Sequence, residues 1–410
     1  MALTHLNAES ARVWNRVSRL IAVVGVAVIA ARIPVVDLLT LGDVGALALA
    51  PVWLSSARRF SWAGPLLCTG LLCVPVGLLL TLRSAVDHEL SWGLFEGAST
   101  WMVGLVASVG FLLWAREQLG ASLLALVFGL GMVLGIDPST NLFSTNPWKF
   151  GFAVPITVLA LALAHRAGRR WIELALLVTL AAVCFMTDSR SALGILLLAC
   201  AFMAWQLRSG AQHRTGSPSG ALLGSALAVV AVYHIGQALV LGGAFGEVTQ
   251  ARSEAQVERA GSLIVGGRPE LLASISMIAA DPWGPGAGAR PSYGEIMLAK
   301  GAMATIDYDP DNGYVEDFMF GSGYSLHSVF GDLWAQWGLM GLVFTGAVVL
   351  VVMRRLTAGL ADGGMPAITL YLSCALLWNV FFAPWYSSIR LLELLLAMIL
   401  VPRPDADPLQ

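Results

Sequence analysis

Length, composition and charge place this chain in a membrane. Of its 410 residues, 57% are hydrophobic and only 12% are charged, and the mean hydropathy is +0.75, whereas roughly a quarter of the residues in an ordinary soluble domain are charged. The formal net charge of -2 leaves no excess of basic residues to neutralise phosphates, which argues against a nucleic-acid partner.

Apolar runs recur along almost the whole chain. A helix needs about 20 mainly apolar residues to cross the hydrocarbon core of a bilayer. The runs therefore predict an all-α integral membrane protein with about twelve transmembrane helices, in a single polytopic domain that covers residues 1–410. The predicted spans lie near residues 19–36, 38–55, 63–82, 98–115, 119–136, 151–165, 171–187, 190–207, 220–241, 327–353, 365–382 and 386–402.

Basic residues in the connections indicate the orientation. Arginines concentrate in alternate connections, for example at Arg58, Arg169 and Arg354, and such connections face the cytoplasm. Both termini are therefore predicted to be cytoplasmic. The long connection at residues 242–326, between spans nine and ten, then forms a large extracytoplasmic loop that is acidic overall.

One helix is predicted inside this loop. Pro269 can start it, residues 270–280 are mostly apolar, and Asp281-Pro282 ends it. Apolar residues recur at helical spacing at Leu271, Leu272, Ile275 and Ile278. The pattern fits a helix that lies on the membrane surface or caps the bundle, and it equally fits an ordinary core helix of the loop.

Arg190 is predicted to lie in the first turn of span eight. Asp188 or Ser189 is a good N-cap, and the apolar run follows directly. The start of a helix attracts anions, and an arginine there adds a bidentate donor that stays charged. The alternative is that Arg190 only pairs with Asp188 or binds lipid headgroups.

Two further residues adjoin helix starts in or beside the long loop. Arg268 follows two glycines and precedes Pro269, so the backbone there can approach a ligand closely. His327 opens span ten, and a neutral imidazole can accept a proton from a hydroxyl group. Lys149 lies in an outer loop and Arg390 lies beside the last span, and either can anchor the interface.

Three stretches resemble motifs of the O-antigen ligase and polymerase superfamily of bacterial envelope enzymes. Ser189-Arg190-Ser191 resembles the family's segment at a span start, and Arg268 with Asp281-Pro282-Trp283-Gly284 resembles its loop motif. His327-Ser328, then nine residues, then Gly338-Leu339-Met340-Gly341 resembles the ligase pattern. Many relatives have His-Asn where this chain has His327-Ser328. The topology is similar over the whole chain, but the motifs cover only short stretches of it.

The resemblance implies a membrane glycosyltransferase of the bacterial cytoplasmic membrane. Such an enzyme moves a glycan from an undecaprenyl-pyrophosphate carrier to a hydroxyl group of a glycolipid or glycan acceptor at the outer face, without a metal or other cofactor. Arg190 and Arg268 would hold the pyrophosphate, with Lys149 and Arg390 as second-rank phosphate contacts. His327 would remove the hydroxyl proton.

Other functions fit the same sequence features. An O-antigen or exopolysaccharide polymerase differs from a ligase only in its acceptor, and the motifs do not separate the two. A transporter or lipid flippase belongs to a different class and would place charged residues at mid-bilayer. A non-catalytic scaffold for envelope assembly would not need His327.

Overall fold

The chain is almost entirely helical. The structure is a computed structural model that describes residues 2–36, 39–208 and 217–403, so Met1, 37–38, 209–216 and the C-terminal 404–410 lie outside it. The helices of the first half are α1 (Ala2–Ala31), α2 (Leu41–Ala48), α3 (Ala50–Ala57), α4 (Ala63–Ser84), α5 (Trp92–Leu119), α6 (Ala121–Leu134), α7 (Asn141–Thr145), α8 (Ala153–Arg166) and α9 (Arg170–Met186).

The second half contains the long loop and the last three apolar helices. Its helices are α10 (Arg190–Arg208), α11 (Pro218–Leu241), α12 (Glu247–Ala260), α13 (Leu263–Gly266), α14 (Glu270–Ala280), α15 (Tyr293–Ala304), α16 (Val329–Asp362), α17 (Ala367–Phe382) and α18 (Trp385–Ile399). Two π-helical turns, Trp148–Phe152 and Tyr314–Met319, and a hairpin of strands β1 (Pro34–Val36) and β2 (Leu39–Thr40) complete the described structure.

Seven of the described helices are long and apolar enough to cross a membrane. These are Val13–Ala31, Ala63–Ser84, Trp92–Leu119, Trp148–Arg166, Arg190–Leu207, Ser219–Leu241 and Val329–Asp362. Shorter apolar helices include α6 and α17. The protein is thus an all-α protein suited to a lipid bilayer, and the count of twelve spans stays a prediction.

The predicted second span, residues 38–55, is not one helix. After α1 the chain forms the β1–β2 hairpin and continues as α2 and α3, which have eight residues each. Pro51 lies in the first turn of α3 and has no N–H to continue the hydrogen bonding of α2. Eight residues rise only about 12 Å, so neither helix crosses a bilayer alone.

Helix α4 joins two ends of the bundle. At its last residue, the Ser84 hydroxyl donates a hydrogen bond to the Pro285 carbonyl in the long loop at 2.6 Å. Just before its first residue, the Ser61 N–H donates to the Val401 carbonyl at 2.8 Å. The loop therefore lies at one end, called here the loop end, and the described C-terminal segment lies at the opposite end.

The long loop is a folded cap with a small apolar core of its own. This core includes Ala273, Met277, Met303 and Val315, and it packs on Trp334 of α16. Because α16 belongs to the bundle, the cap is fixed directly to the loop end of a helix that is long and apolar enough to cross a membrane.

Helix α14 begins and ends where the sequence predicts, at Glu270 and Ala280. It is a core helix of the cap, but its buried face differs from the apolar stripe of the sequence. Glu270, Ala273, Ser274 and Met277 are buried, whereas Ile275 is 51% exposed. A buried helix face that includes a carboxylate and a hydroxyl group points to a polar site below it.

A kink in α16 fits the cap against the bundle. Gly338 has φ 57° and ψ -141°, and a Cβ there would lie 1.9 Å from the Trp283 carbonyl oxygen. A Cβ on Gly284, at φ +79°, would lie 2.6 Å from the Trp334 carbonyl oxygen. Glycine at both positions therefore lets the turn after α14 touch the backbone of α16.

Candidate active site

Basic side chains from four separate elements gather at the loop end. Lys149 in the first π-helical turn lies within electrostatic range of Arg190, Arg252 and Arg268, and of one acid, Asp188. Arg190 is the first residue of α10, Arg252 lies on α12, and Arg268 precedes α14. We call Lys149, Arg190, Arg252 and Arg268 the basic cluster. Its excess of positive charge suits an anion such as a phosphate.

Local hydrogen bonds place Lys149 beside the start of α10. The Asn146 side-chain amide donates to the Thr187 carbonyl at 2.8 Å, which ties the segment before the π-helical turn to the turn between α9 and α10. The Asn146 side-chain oxygen also accepts the Lys149 N–H at 2.9 Å. Lys149 and Arg190 are thus neighbours because two chain turns are bonded together.

Arg190 starts α10, as the sequence predicts. It also pairs with Asp188, with Nε and Oδ1 3.6 Å apart and with side chains that are 36% and 55% exposed. Such an exposed pair is worth at most about 1 kcal/mol. An incoming anion can therefore compete with Asp188 for the guanidinium group.

His327 lies under the cap in an aromatic environment. Its ring centroid is 5.4 Å from that of Tyr314 and 4.9 Å from that of Phe318, both in the second π-helical turn. Its Nδ1 atom is buried and has no hydrogen-bond partner among the described residues. Buried ring nitrogens are normally paired, so Nδ1 indicates a partner that the described residues do not supply.

Glu270 and Arg268 connect His327 to the basic cluster. Both lie within electrostatic range of the imidazole, and the Tyr314 hydroxyl donates a hydrogen bond to Glu270 Oε1. The other carboxylate oxygen of Glu270 is buried without a partner among the described residues. The charge of Arg268 acts on both Lys149 and His327, so Arg268 links the basic cluster to the histidine.

The surroundings keep His327 neutral and Tyr314 protonated. Burial lowers the pKa of His327 below its ordinary value of 6.5; the negative charge of Glu270 opposes this shift, and the positive charge of Arg268 adds to it. Burial and then the charge of Glu270 raise the pKa of Tyr314. At neutral pH the site therefore offers a neutral imidazole and a phenol that donates to a carboxylate.

A buried carboxylate positions the segment that carries His327. Asp332, 4% exposed, accepts the Leu326 N–H at 2.7 Å and the Trp385 N–H at 2.8 Å. Ser328 caps α16 by accepting the Gly331 N–H at 3.2 Å. His327 itself has φ +52°, in the left-handed region that side chains rarely adopt, so these bonds hold it in a strained conformation.

Arg390 has different neighbours. It lies within electrostatic range of Arg32 and Glu393, and these two form an ion pair of 3.0 Å in which Glu393 is 1% exposed. Arg390 therefore belongs to a charged group between α1 and α18, and its role as a phosphate contact stays a prediction.

Irregular backbone surrounds the site. The two described π-helical turns carry Lys149 and Tyr314, and Asp188 has φ +48° just before α10. Such turns and positive φ angles are frequent at functional sites. Sequence periodicity does not reveal them, which is one reason why Tyr314, Phe318, Glu270 and Arg252 were not predicted as site residues.

The described residues contain no group of three or more His, Cys, Asp or Glu that could hold a metal ion. Comparisons with known protein families, curated proteins and solved structures found no match for the chain. The fold thus defines an all-α membrane protein with a candidate active site at the loop end.

Proposed function

We propose that the protein is a membrane glycosyltransferase of the O-antigen ligase type. It would move a glycan from an undecaprenyl-pyrophosphate carrier to an acceptor hydroxyl group at the outer face of the bacterial cytoplasmic membrane. The main support is that Arg190 and Arg268, which are far apart in sequence, both lie near Lys149, and that Arg268 also lies near His327. An anion-binding cluster beside a neutral base is the combination that this reaction needs.

The proposed reaction has one proton transfer and one displacement. His327 removes the proton of the acceptor hydroxyl group, whose oxygen forms a bond to the anomeric carbon of the sugar. The bond between that carbon and the pyrophosphate oxygen breaks, and the carrier pyrophosphate leaves with the electron pair. Arg190, Arg268, Arg252 and Lys149 stabilise the charge that develops on the leaving group.

The proposed topology has twelve spans, with both termini in the cytoplasm and the cap, residues 242–326, outside. Seven of these spans would be the long apolar helices. The other five would be α6, α9, α17, α18 and the α2–α3 pair. Support comes from the opposite positions of the cap and the described C-terminal segment along α4.

The decisive variant is His327→Ala. Loss of a general base reduces a rate by about 100-fold or more, so we expect transfer to fall by at least that factor in membranes or nanodiscs that contain a carrier-linked glycan donor. His234→Ala is the matched control, because His234 lies on α11 outside the site. If His327→Ala inserts normally and transfers glycan at the wild-type rate, the proposal is wrong.

A second pair of variants tests the anion contact on α12. Arg252 lies in the basic cluster, whereas Arg259 on the same helix bonds the Ala255 and Asp307 carbonyls. We expect Arg252→Gln to raise the KM for the donor by about tenfold, the equivalent of one charge-assisted hydrogen bond. Arg259→Gln should leave the KM unchanged.

Lipid-linked glycans in a deletion strain separate the alternatives. Full-length polymer that accumulates on its carrier indicates a ligase, and accumulated single repeat units indicate an O-antigen or exopolysaccharide polymerase. If the protein is a flippase, its deletion would instead leave the lipid-linked substrate on the cytoplasmic side of the membrane. Normal glycan lipids in the deletion strain would contradict all three functions.

A further inference from the structure

A cavity lies beside the segment that carries His327. It has a volume of about 220 Å³ and opens between α5, the start of α16, the start of α18 and two stretches of the cap. One water needs roughly 10–15 Å³ of such space, so the cavity can admit a ligand of many atoms.

The wall of this cavity combines aromatic faces with small residues. Trp101 of α5 and Tyr386 of α18 have ring centroids 6.0 Å apart and form one side. Gly97 and Gly93 lie one and two turns before Trp101 on the same face of α5. Their missing side chains leave room for a flat ligand to lie against the aromatic rings.

Polar groups in the same wall lack protein partners. Gln336 lines the cavity, and its side-chain oxygen is buried without a hydrogen-bond partner among the described residues. The indole N–H of Trp385, a residue only 1% exposed, is also unpaired there. Buried donors and acceptors are normally satisfied, so these two indicate a ligand or water that bonds to them.

The charge of the cavity excludes a phosphate ligand. None of the described residues that line it is Arg, Lys or His, and Asp332 contributes a carboxylate. The basic cluster can hold the anionic part of a substrate, whereas this cavity suits an uncharged part that carries hydroxyl groups. A sugar ring has this chemistry, because its C–H face packs on aromatic rings and its hydroxyl groups both donate and accept hydrogen bonds.

We propose that this cavity binds a sugar ring of the substrate, with Trp101 as the stacking face and Gln336 as a hydrogen-bonding group. Ser325 and Asp332 line the cavity. Ser325 lies two residues before His327, and Asp332 accepts the N–H of Leu326, the residue before His327. A sugar bound there would thus contact the chain that holds the base. Its role as part of the substrate rests on the proposed function, but the binding itself does not.

Saturation-transfer NMR on the full chain in nanodiscs tests the inference. Nanodiscs are needed because maltoside detergents carry sugars themselves. The probes are methyl glycosides of glucose, galactose, rhamnose and N-acetylglucosamine. We expect at least one to bind, and we expect Trp101→Leu and Gln336→Leu each to weaken it by about tenfold, the equivalent of about 1.4 kcal/mol. Trp92→Leu is the control, because Trp92 also lies on α5 but outside the cavity.

Each outcome decides one of the two proposals. If no glycoside binds, or if all three variants bind like the wild type, the sugar site is wrong even where transfer proceeds. The sugar site would also be wrong if the acyl chain of phosphatidylglycerol, and not a sugar, occupied this cavity. His327→Ala should abolish transfer and retain sugar binding, so sugar binding together with unchanged transfer in His327→Ala contradicts only the proposed function.

Discussion

The charge of Arg268 acts on two groups of side chains with different chemistry. One is Lys149 of the basic cluster, and the other consists of Tyr314 and His327. Its guanidinium group makes no hydrogen bond or ion pair with any described residue. A nearby cation disfavours the protonated imidazole and a nearby carboxylate favours it. Arg268 and Glu270 therefore have opposite effects on the pKa of His327.

The pH dependence of transfer should show these opposite effects on the pKa of His327. Neutral His327 is the active base, so activity is lost as the pH falls through its pKa, which burial places below 6.5. Arg268→Gln removes the cation, raises the pKa and moves this loss to higher pH. Glu270→Gln removes the carboxylate, lowers the pKa and moves it to lower pH. The measurement is kcat/KM against pH for both variants.

Arg259→Gln is the control for the pH profile, since it removes an arginine elsewhere in the cap and should not move the acid limb. Shifts of Arg268→Gln and Glu270→Gln in the same direction would contradict the arrangement around His327. A profile that neither variant moves would show that another group titrates.

At the scale of elements, the kink in α16 decides how the cap meets the bundle. The helix starts at Val329 and changes direction at Gly338, where the turn after α14 touches it. The Trp334 indole N–H donates to the Pro282 carbonyl at 3.2 Å across this contact. The start of α16 that carries Asp332 is therefore oriented by the cap as well as by the bundle.

Gly338→Ala should weaken this contact. Alanine at this positive φ costs about 1–3 kcal/mol, and its Cβ would also collide with the Trp283 carbonyl oxygen. We expect a lower thermal unfolding temperature in detergent and reduced transfer. Gly346→Ala is the control, because a Cβ at Gly346 on the same helix has nothing within 4 Å. Equal unfolding temperatures for the two variants would contradict the role of the kink.

Local signals made some elements predictable from the sequence. The starts of α10 at Arg190 and of α14 at Glu270 follow from capping residues and a proline, which act within a few residues of the helix end. The break between α2 and α3 was missed because hydropathy alone treats residues 38–55 as one apolar run. Pro51 was the available signal.

The burial of polar side chains could not be predicted in the same way. Glu270 was expected at an ordinary helix start, yet it is 6% exposed because α14 turns it toward Tyr314. Asp332 stands in an apolar stretch and was overlooked, although a carboxylate near a membrane helix indicates a function or a specific partner. Which polar residues face each other depends on packing between distant segments. The periodicity within one segment carries no information about that packing.

At the scale of the whole molecule, some arginines at the two ends of the bundle have different surroundings. At the loop end the three arginines of the basic cluster lie near Lys149. At the opposite end, Arg116 donates to the Leu400 carbonyl at 2.6 Å, and Arg170 donates to the Met365 carbonyl at 2.9 Å. These arginines satisfy carbonyl groups near helix ends and so join neighbouring helices.

Cysteine labelling in intact cells tests the proposed orientation of these two ends. The five native cysteines are first replaced by serine, and single cysteines are introduced at exposed positions. An impermeant maleimide should label Ser139→Cys and Asp309→Cys, which lie at the loop end. It should label Arg58→Cys and Arg166→Cys, at the opposite end, only after the membrane is permeabilised.

Each labelling pattern has a separate meaning. Labelling of all four positions from one side would contradict the bundle, because α4 alone separates Arg58 from the cap by a membrane-spanning length. A reversed pattern would leave the bundle intact but place His327 and the basic cluster in the cytoplasm. Transfer at the outer face would then be impossible, and the glycosyltransferase proposal would fail with it.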